Sequence, residues 1–328
     1  MPYKVEVAGG EGGDMRYVMM ALLICALSGC AFVKVNVGSE LKEIEERVVS
    51  GKGRAKIVVV DISGIISIDH LGLERFGKEP PMIPRLQEQL NAARDDDDVV
   101  GLVVRIDSPG GSVTASDILY HEVKTFGKEK GVPVVACIMD KGLSGGYYVA
   151  LGADEIMAHP TSIVGGVGVI SFRLDISEML DTWGVKVGAI QSGPKKDFWS
   201  PLRSGSPEEN AVMQGIVDRL NQRFLQIIRE NRSLSPGSLE KVAEGGVFDT
   251  AEALDLGLAD GIGYLEDAIE RTMELAGVSE ARVILYRRPG ALAESIYAGS
   301  APLLRALSNG ERGVAELLTP SFRYQSLQ

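Results

Sequence analysis

Residues 99–113 read VVGLVVRIDSPGGSV. Eight residues dominated by β-branched and aliphatic side chains, with one Arg near the end, make a strand buried on both faces, the form found in parallel sheets. The run stops at Asp107-Ser108-Pro109-Gly110-Gly111, a turn, and SVTASDILYHEVKTF then carries Val113, Ile118, Val123 and Phe126 at helical spacing. A buried strand, a glycine turn and an amphipathic helix form the repeating element of an α/β sheet.

The same grammar extends in both directions. Upstream, KIVVVDISGII is a buried strand, followed by PRLQEQLNAARDDDD with Leu86, Leu90 and Ala93 at helical spacing. Downstream, PVVACIM is a third strand and LSGGYYVALGA opens a helix. EIMAHP and VGGVGVI are short strand-like pieces, ISEMLDTWG is a helix ended by Gly184, and VKVGAIQSG is a strand leading into a loop. The longest helix starts at SPEE, where Ser206, Pro207 and Glu209 form a capping box, and carries Val212, Ile216, Leu220 and Phe224 on one stripe. FDTAEALDLGLADGIGYLEDAI supplies two further small helices. Strands alternating with helices predict a parallel or mostly parallel sheet, and no internal linker divides residues 55–280, so one compact domain is expected.

Outside this block the sequence concerns address. Tyr17 to Val33 is uncharged over 17 residues, short of the roughly 20 needed to span a bilayer as a helix. It follows Arg16 and contains Leu27-Ser28-Gly29-Cys30, which resembles a bacterial lipobox with Cys30 as the lipidated residue. Because Glu6, Glu11 and Asp14 are foreign to a positive n-region, Met15 is read as the start of the signal. A simple signal anchor, with Cys25 and Cys30 as ordinary apolar residues, is the alternative. Residues 1–33 are therefore read as a signal or anchor segment, 34–54 as a tether, with a short helix around 41–48 as the alternative, and 281–328 as a C-terminal extension. In that extension Ala291, Leu292 and Ile296, followed by Leu303, Leu304 and Leu307, suit a short amphipathic helix.

Composition narrows the chemistry. The chain of 328 residues has a formal net charge of -11 and no dense basic cluster, which argues against nucleic acid as a partner. Three His and three Cys give no recognisable metal spacing, so no metal or cofactor is expected and no disulfide is predicted; Cys137 falls in a strand and reads as core packing. The chemistry is left to Ser, Lys and carboxylates. The two glycine turns, DSPGGS and LSGGYY, lie where α/β sheets place ligands, at the carboxyl ends of strands beside helix N-termini. Together they could form an oxyanion hole from Gly110 or Gly111 and the Gly145 N–H; a phosphate cradle lacks the Lys-Ser/Thr pair, and two plain tight turns are the simplest alternative. Ser144 stands where a nucleophile would, although a helix N-cap is the ordinary role of such a serine. Of the histidines only the loop residue His159 is a candidate base. Lys195 and Lys196 lie in GPKKDFWSP beside Phe198 and Trp199, and apolar surroundings lower a Lys pKa. Unperturbed at about 10.4, a Lys is neutral in only about 0.4% of molecules at pH 8.

The segments IVVVDISGII, VVGLVVRIDSPGGSV, SGGYY, VGGVGVI, SGPKKDFWSP and GGVFDTAEALDLGLADGIG, in this order over residues 55–280, resemble the SppA-type signal peptide peptidases, bacterial serine proteases of the ClpP/crotonase fold. The resemblance implies an α/β fold of repeated β-β-α units and a Ser/Lys dyad. Ser144 would be the nucleophile, Lys196, which precedes Asp197, the base, and Lys195 the less favoured neighbour. The SPGG turn, with Gly110 and Gly111, and Gly145 would hold the oxyanion. VGGVGVI departs from the family's TGSIGVI by carrying Gly166 in place of Ser, and Ser162 is the candidate to compensate. The resemblance further implies a homo-oligomeric ring with sites shared between subunits, remnant signal peptides as substrates, and a membrane-anchored catalytic domain outside the cytoplasm in the cell envelope. The alternatives are a non-catalytic membrane scaffold ring of the same fold and a crotonase-like acyl-CoA enzyme.

Overall fold

The computed structural model describes residues 43–68, 80–289 and 296–297. The segment holding Cys30, the first part of the tether and all of the C-terminal extension beyond residue 289 except Ile296 and Tyr297 lie outside them. Among the described residues no helix is long and apolar enough to cross a membrane.

The three β-branched runs become β2 (Lys56–Ser63), β3 (Val99–Ser108) and β4 (Val134–Leu143). They pair in parallel, Val58 against Leu102 and Val103 against Val135. Both faces are covered, which is why the strands lack the alternation of a half-solvated sheet. On one face Val58, Val60, Leu102 and Val104 pack on α1 (Met82–Asp95) and α2 (Val113–Lys130). On the other, Ile57, Val59, Val103 and Cys137 meet Leu265, Ala268 and Ile269 of α8 (Leu265–Leu275). Cys137 is fully buried, and burial pushes its thiol up to about 12.

β4 has two partners on one side. Its first half pairs with β5 (Glu155–Ala158), while its last three residues pair with β6 (Ile163–Gly165). Beyond it comes α3 (Gly145–Ala150), every residue of which is buried. The remaining elements are α4 (Ser177–Thr182), α5 (Pro207–Asn231), α6 (Pro236–Ala243), β7 (Val247–Asp249), α7 (Thr250–Asp255), β8 (Gly261–Ile262) and β9 (Arg282–Arg287), with β1 (Glu45–Gly51) first in the chain. The sheet order is β1-β9-β2-β3-β4-β5-β8, with β6 on β4 and β7 on β6. All pairs are parallel except β1 with β9 and β6 with β7, so the sheet is mixed.

Four expectations change. The end of the tether is a strand: β1 pairs antiparallel with β9 and forms the sheet edge. β9 belongs to the domain as well, inserted between β1 and β2 with Val283 to Arg287 buried, so the compact unit runs past residue 280. The run 185–193 is not a strand: no strand among the described residues pairs with it, and Val185, Val187 and Ile190 are exposed. The α5 capping box forms as expected, yet Val212 and Ile216 on its stripe are exposed and only the far end, with Phe224, reaches the core. Residues 170–190 thus form an arm whose Phe172 and Trp183 are 78% and 71% exposed, and α4 within it buries no residue.

Candidate active site

The β4–α3 corner is held at both ends. The Ser144 N–H donates to the Gly165 carbonyl at 2.8 Å, continuing the β4–β6 ladder, and its carbonyl accepts from the Tyr148 N–H at 2.9 Å. Between these bonds Ser144 takes φ 50 and ψ -118, and its side chain makes no cap hydrogen bond to α3. A residue with a Cβ pays about 1–3 kcal/mol for such a backbone. An N-cap serine would sit in the extended region with its oxygen on the helix N–H groups. Ser144 does neither, so capping does not account for it; a half-buried hydroxyl on a strained strand-to-helix corner is the geometry of a nucleophile elbow.

The second turn lies directly against this corner. A Cβ on Gly110, whose φ is 96, would sit 2.7 Å from the Gly145 nitrogen and 2.8 Å from the Ser144 Cβ. One on Gly145 would fall 2.2 Å from Ser116 Oγ and 3.3 Å from the Gly111 nitrogen. Glycine at both positions is what lets the two backbones meet. The turn is itself braced: the Gly110 N–H donates to Ser108 Oγ at 3.0 Å, and Ser108 Oγ donates to the Gly64 carbonyl at 2.7 Å. Ile66 locks it from the side, donating to the Gly110 carbonyl and accepting from the Ser112 N–H. The Gly110 N–H is therefore engaged internally, while the N–H groups of Gly111 and Gly145 have no partner among the described residues.

Ser108 and Ser116 are the residues that sequence reasoning passed over. Both are buried, and both act on backbone geometry rather than on a substrate. The only signal for Ser108 was its place in SPGG; for Ser116, one turn into α2, there was none. Ser162 is 1% exposed and its hydroxyl is directed to the carbonyls of Ile138 and Met139, so it makes no hydrogen bond with Ser144. A Cβ on Gly166 would lie 3.4 Å from the Ser144 nitrogen, which puts this departure from the family pattern in the corner itself.

Behind Ser144, α3 is tied to two helices. The Tyr148 hydroxyl donates to Asp117 at 2.5 Å, and its ring meets Tyr120 edge-on at 5.5 Å and Phe224 at 4.9 Å. Burial and the adjacent Asp117 carboxylate raise the Tyr148 pKa, so the hydroxyl remains a donor. Tyr147 is wholly buried and donates to the Leu258 carbonyl at 3.0 Å.

The candidate bases are distributed differently. His121 is exposed on α2, and the His159 ring is engaged with Thr161 and the edge of Tyr264. Lys195 pairs with Glu208 at 2.6 Å, and that hydrogen bond raises its pKa and favours the protonated form, the wrong form for a base. Lys196 is exposed in the turn after Gly193 and has no ion pair or side-chain hydrogen bond among the described residues. No hydrogen bond joins Lys196 to Ser144 within the chain. The structure thus brings Ser144, Gly110, Gly111 and Gly145 together, with Lys196 in the exposed turn that follows the arm.

A model of Peptidase family S49 matches residues 127–279. A protein of Enterococcus faecium named as a signal peptide peptidase SppA is 31% identical over 74% of this chain and 70% of its own length. The protease slr0021 of Synechocystis is 34% identical over 64% of this chain and 72% of its own. Among solved structures, a ClpP1 mutant from Listeria monocytogenes covers 64% of this chain and 94% of its own at 16% identity, with a TM-score of 0.41.

Proposed function

Because this chain belongs to peptidase family S49, the SppA-type signal peptide peptidases, and is a serine peptidase, we propose that it is a Ser/Lys endopeptidase of the cell envelope, of the ClpP/crotonase arrangement, that cleaves remnant signal peptides or similar apolar peptides. The observation that carries the reading is Ser144 at φ 50 with an uncapped hydroxyl, beside the Gly111 and Gly145 N–H groups, which have no partner among the described residues. Ser144 Oγ attacks the scissile carbonyl while Lys196 Nζ takes its proton; the oxyanion is held by Gly111 and Gly145, with Gly110 shaping the turn. Lys196 returns the proton to the leaving amine. Water then attacks the acyl-enzyme, giving its proton to Lys196, and Ser144 leaves with a proton.

Lys196 shares no hydrogen bond with Ser144 in one chain, which supports a site completed by a neighbouring subunit in a ring. The many exposed apolar side chains of residues 170–190, and Val212 and Ile216 on α5, support the same assembly, since apolar surface left uncovered in this amount marks an interface. The apolar run before Cys30 supports a membrane-anchored enzyme with its catalytic domain outside the cytoplasm. In cleavage assays on a peptide with an apolar core, Ser144→Ala and Lys196→Ala should each lower kcat by about 10³-fold or more while leaving assembly unchanged. Full activity in both would overturn the reading.

A further inference from the structure

The segment that carries Lys196 has almost no hydrophobic packing, yet it is closed on itself by two arginines. Arg203 forms a fork onto Asp197, with Nε donating to Oδ2 at 2.6 Å and one terminal nitrogen to Oδ1 at 3.0 Å; the same nitrogen also reaches the Asp197 carbonyl at 3.2 Å. The guanidinium extends to a second carboxylate, contacting Glu209 at 2.5 and 3.1 Å. Glu209 is in turn fixed by the capping box, accepting from the Ser206 N–H at 3.0 Å at the start of α5. Arg173 closes the other side, donating to the carbonyls of Arg203 at 2.7 Å and Ser200 at 3.2 Å and lying 5.2 Å over the Trp199 ring. It passes so close to Gly205 that a Cβ there would be 1.2 Å from its guanidinium.

We propose that Arg203 is a positioning residue for Lys196: by tying Asp197, the next residue, to Glu209 at the N-terminus of α5, it fixes the backbone from which Lys196 must reach its serine. The inference rests on the reading of Lys196 as the base. A guanidinium gripping two carboxylates in fixed planes orders a chain where apolar burial does not, and a base must be pre-positioned to act. The hydrogen bonds from Arg203 hold Asp197 below the usual carboxylate range and bring Glu209 down to about 2, so the clamp stays charged across the range in which a lysine base works. The charged groups around Lys196 in this segment are Lys195 with Glu208, and Asp197, Arg203, Glu209 and Arg173.

The test uses the full-length assembled protein and compares Arg203→Ala, Arg203→Lys and Asp197→Asn with wild type and Lys196→Ala. Cleavage is measured near pH 8 over a range of peptide concentrations. Arg203→Ala should lose about tenfold or more in kcat with KM within about twofold. Arg203→Lys, which cannot fork onto two carboxylates, should recover only part of the loss. Combining Arg203→Ala with Asp197→Asn should cost no more than the worse single change, since both break one contact. If Arg203→Ala disturbs assembly, the isosteric Asp197→Asn carries the test with the Glu209 contact intact. A near-normal kcat in Arg203→Ala, with Lys196→Ala inactive, would overturn the role of Arg203. Full activity of Lys196→Ala would instead remove the dyad itself.

Discussion

At the scale of the residue, Ser144 is held in a backbone conformation that a glycine would adopt without penalty. The bonds to Gly165 and Tyr148 and the burial of α3 maintain it, at a cost of about 1–3 kcal/mol. Replacing Ser144 by glycine should therefore raise unfolding free energy by about 1 kcal/mol relative to Ser144→Ala, while both variants lack peptidase activity. Denaturant titration of the two side by side checks this; equal stability would mean that the corner is not strained. The two glycine turns and Ser144 were legible in the sequence because glycine at a strand-to-helix turn marks a required close approach. What the letters did not reveal was the division of labour within SPGG. The Gly110 N–H is used by Ser108, so Gly110 serves the shape of the turn and Gly111 with Gly145 presents the free donors.

At the scale of the element, the buried strands and capped helices could be read directly, since β-branched runs and the Ser206–Glu209 capping box act over a few residues. β1 and β9 could not. EERVVSG is mostly exposed and becomes a strand only because Arg47 and Val48 find Leu285 and Ile284, more than 200 positions along. The alternating run 185–193 shows the reverse: a strand-like pattern with no partner strand among the described residues does not form a ladder. Lys56 joins these remote pieces, pairing at 2.6 Å with Asp96 after α1 and at 2.7 Å with Glu46 on β1. Its side chain is nearly buried, and the hydrogen bond it donates to Asp96, then that to Glu46, raises its pKa above 10.5. The stability this gives is complete below 10.5 and is lost as pH rises through the higher folded value. For Asp96, burial opposes ionisation but the Lys56 hydrogen bond outweighs it together with the other contacts, so its pKa is lowered from 3.8. Its contribution is present above 3.8 and fades as pH falls through the folded value. Melting temperature followed from pH 9 to 12 should drop more steeply for wild type than for Lys56→Met; parallel curves would remove the junction from the account.

At the scale of the whole molecule, the catalytic parts divide between a packed sheet and an exposed arm. Ser144 and its amide donors lie at the end of the packed sheet, whereas Lys196 lies beyond residues 170–190, most of whose apolar side chains are exposed. The sequence contained the Ser and the Lys but not this separation, because exposure of an apolar stripe depends on what the rest of the chain leaves uncovered. Part of the C-terminal extension is docked: the Ile296 carbonyl accepts from Arg105 at 2.7 Å, and the Tyr297 hydroxyl bonds to Glu266. If sites are completed between subunits, inactive Ser144→Ala and Lys196→Ala proteins, dissociated and reassembled together, should regain a substantial fraction of wild-type activity. No recovery despite mixed assembly would confine the site to one chain. The central claim, that Ser144 is a nucleophile activated by Lys196, is tested most directly by labelling the assembled protein with a serine-reactive phosphonate and mapping the adduct by mass spectrometry. The label should fall on Ser144 in wild type and be lost in Lys196→Ala; a label on another residue, or an undiminished label on Ser144 without Lys196, would contradict it.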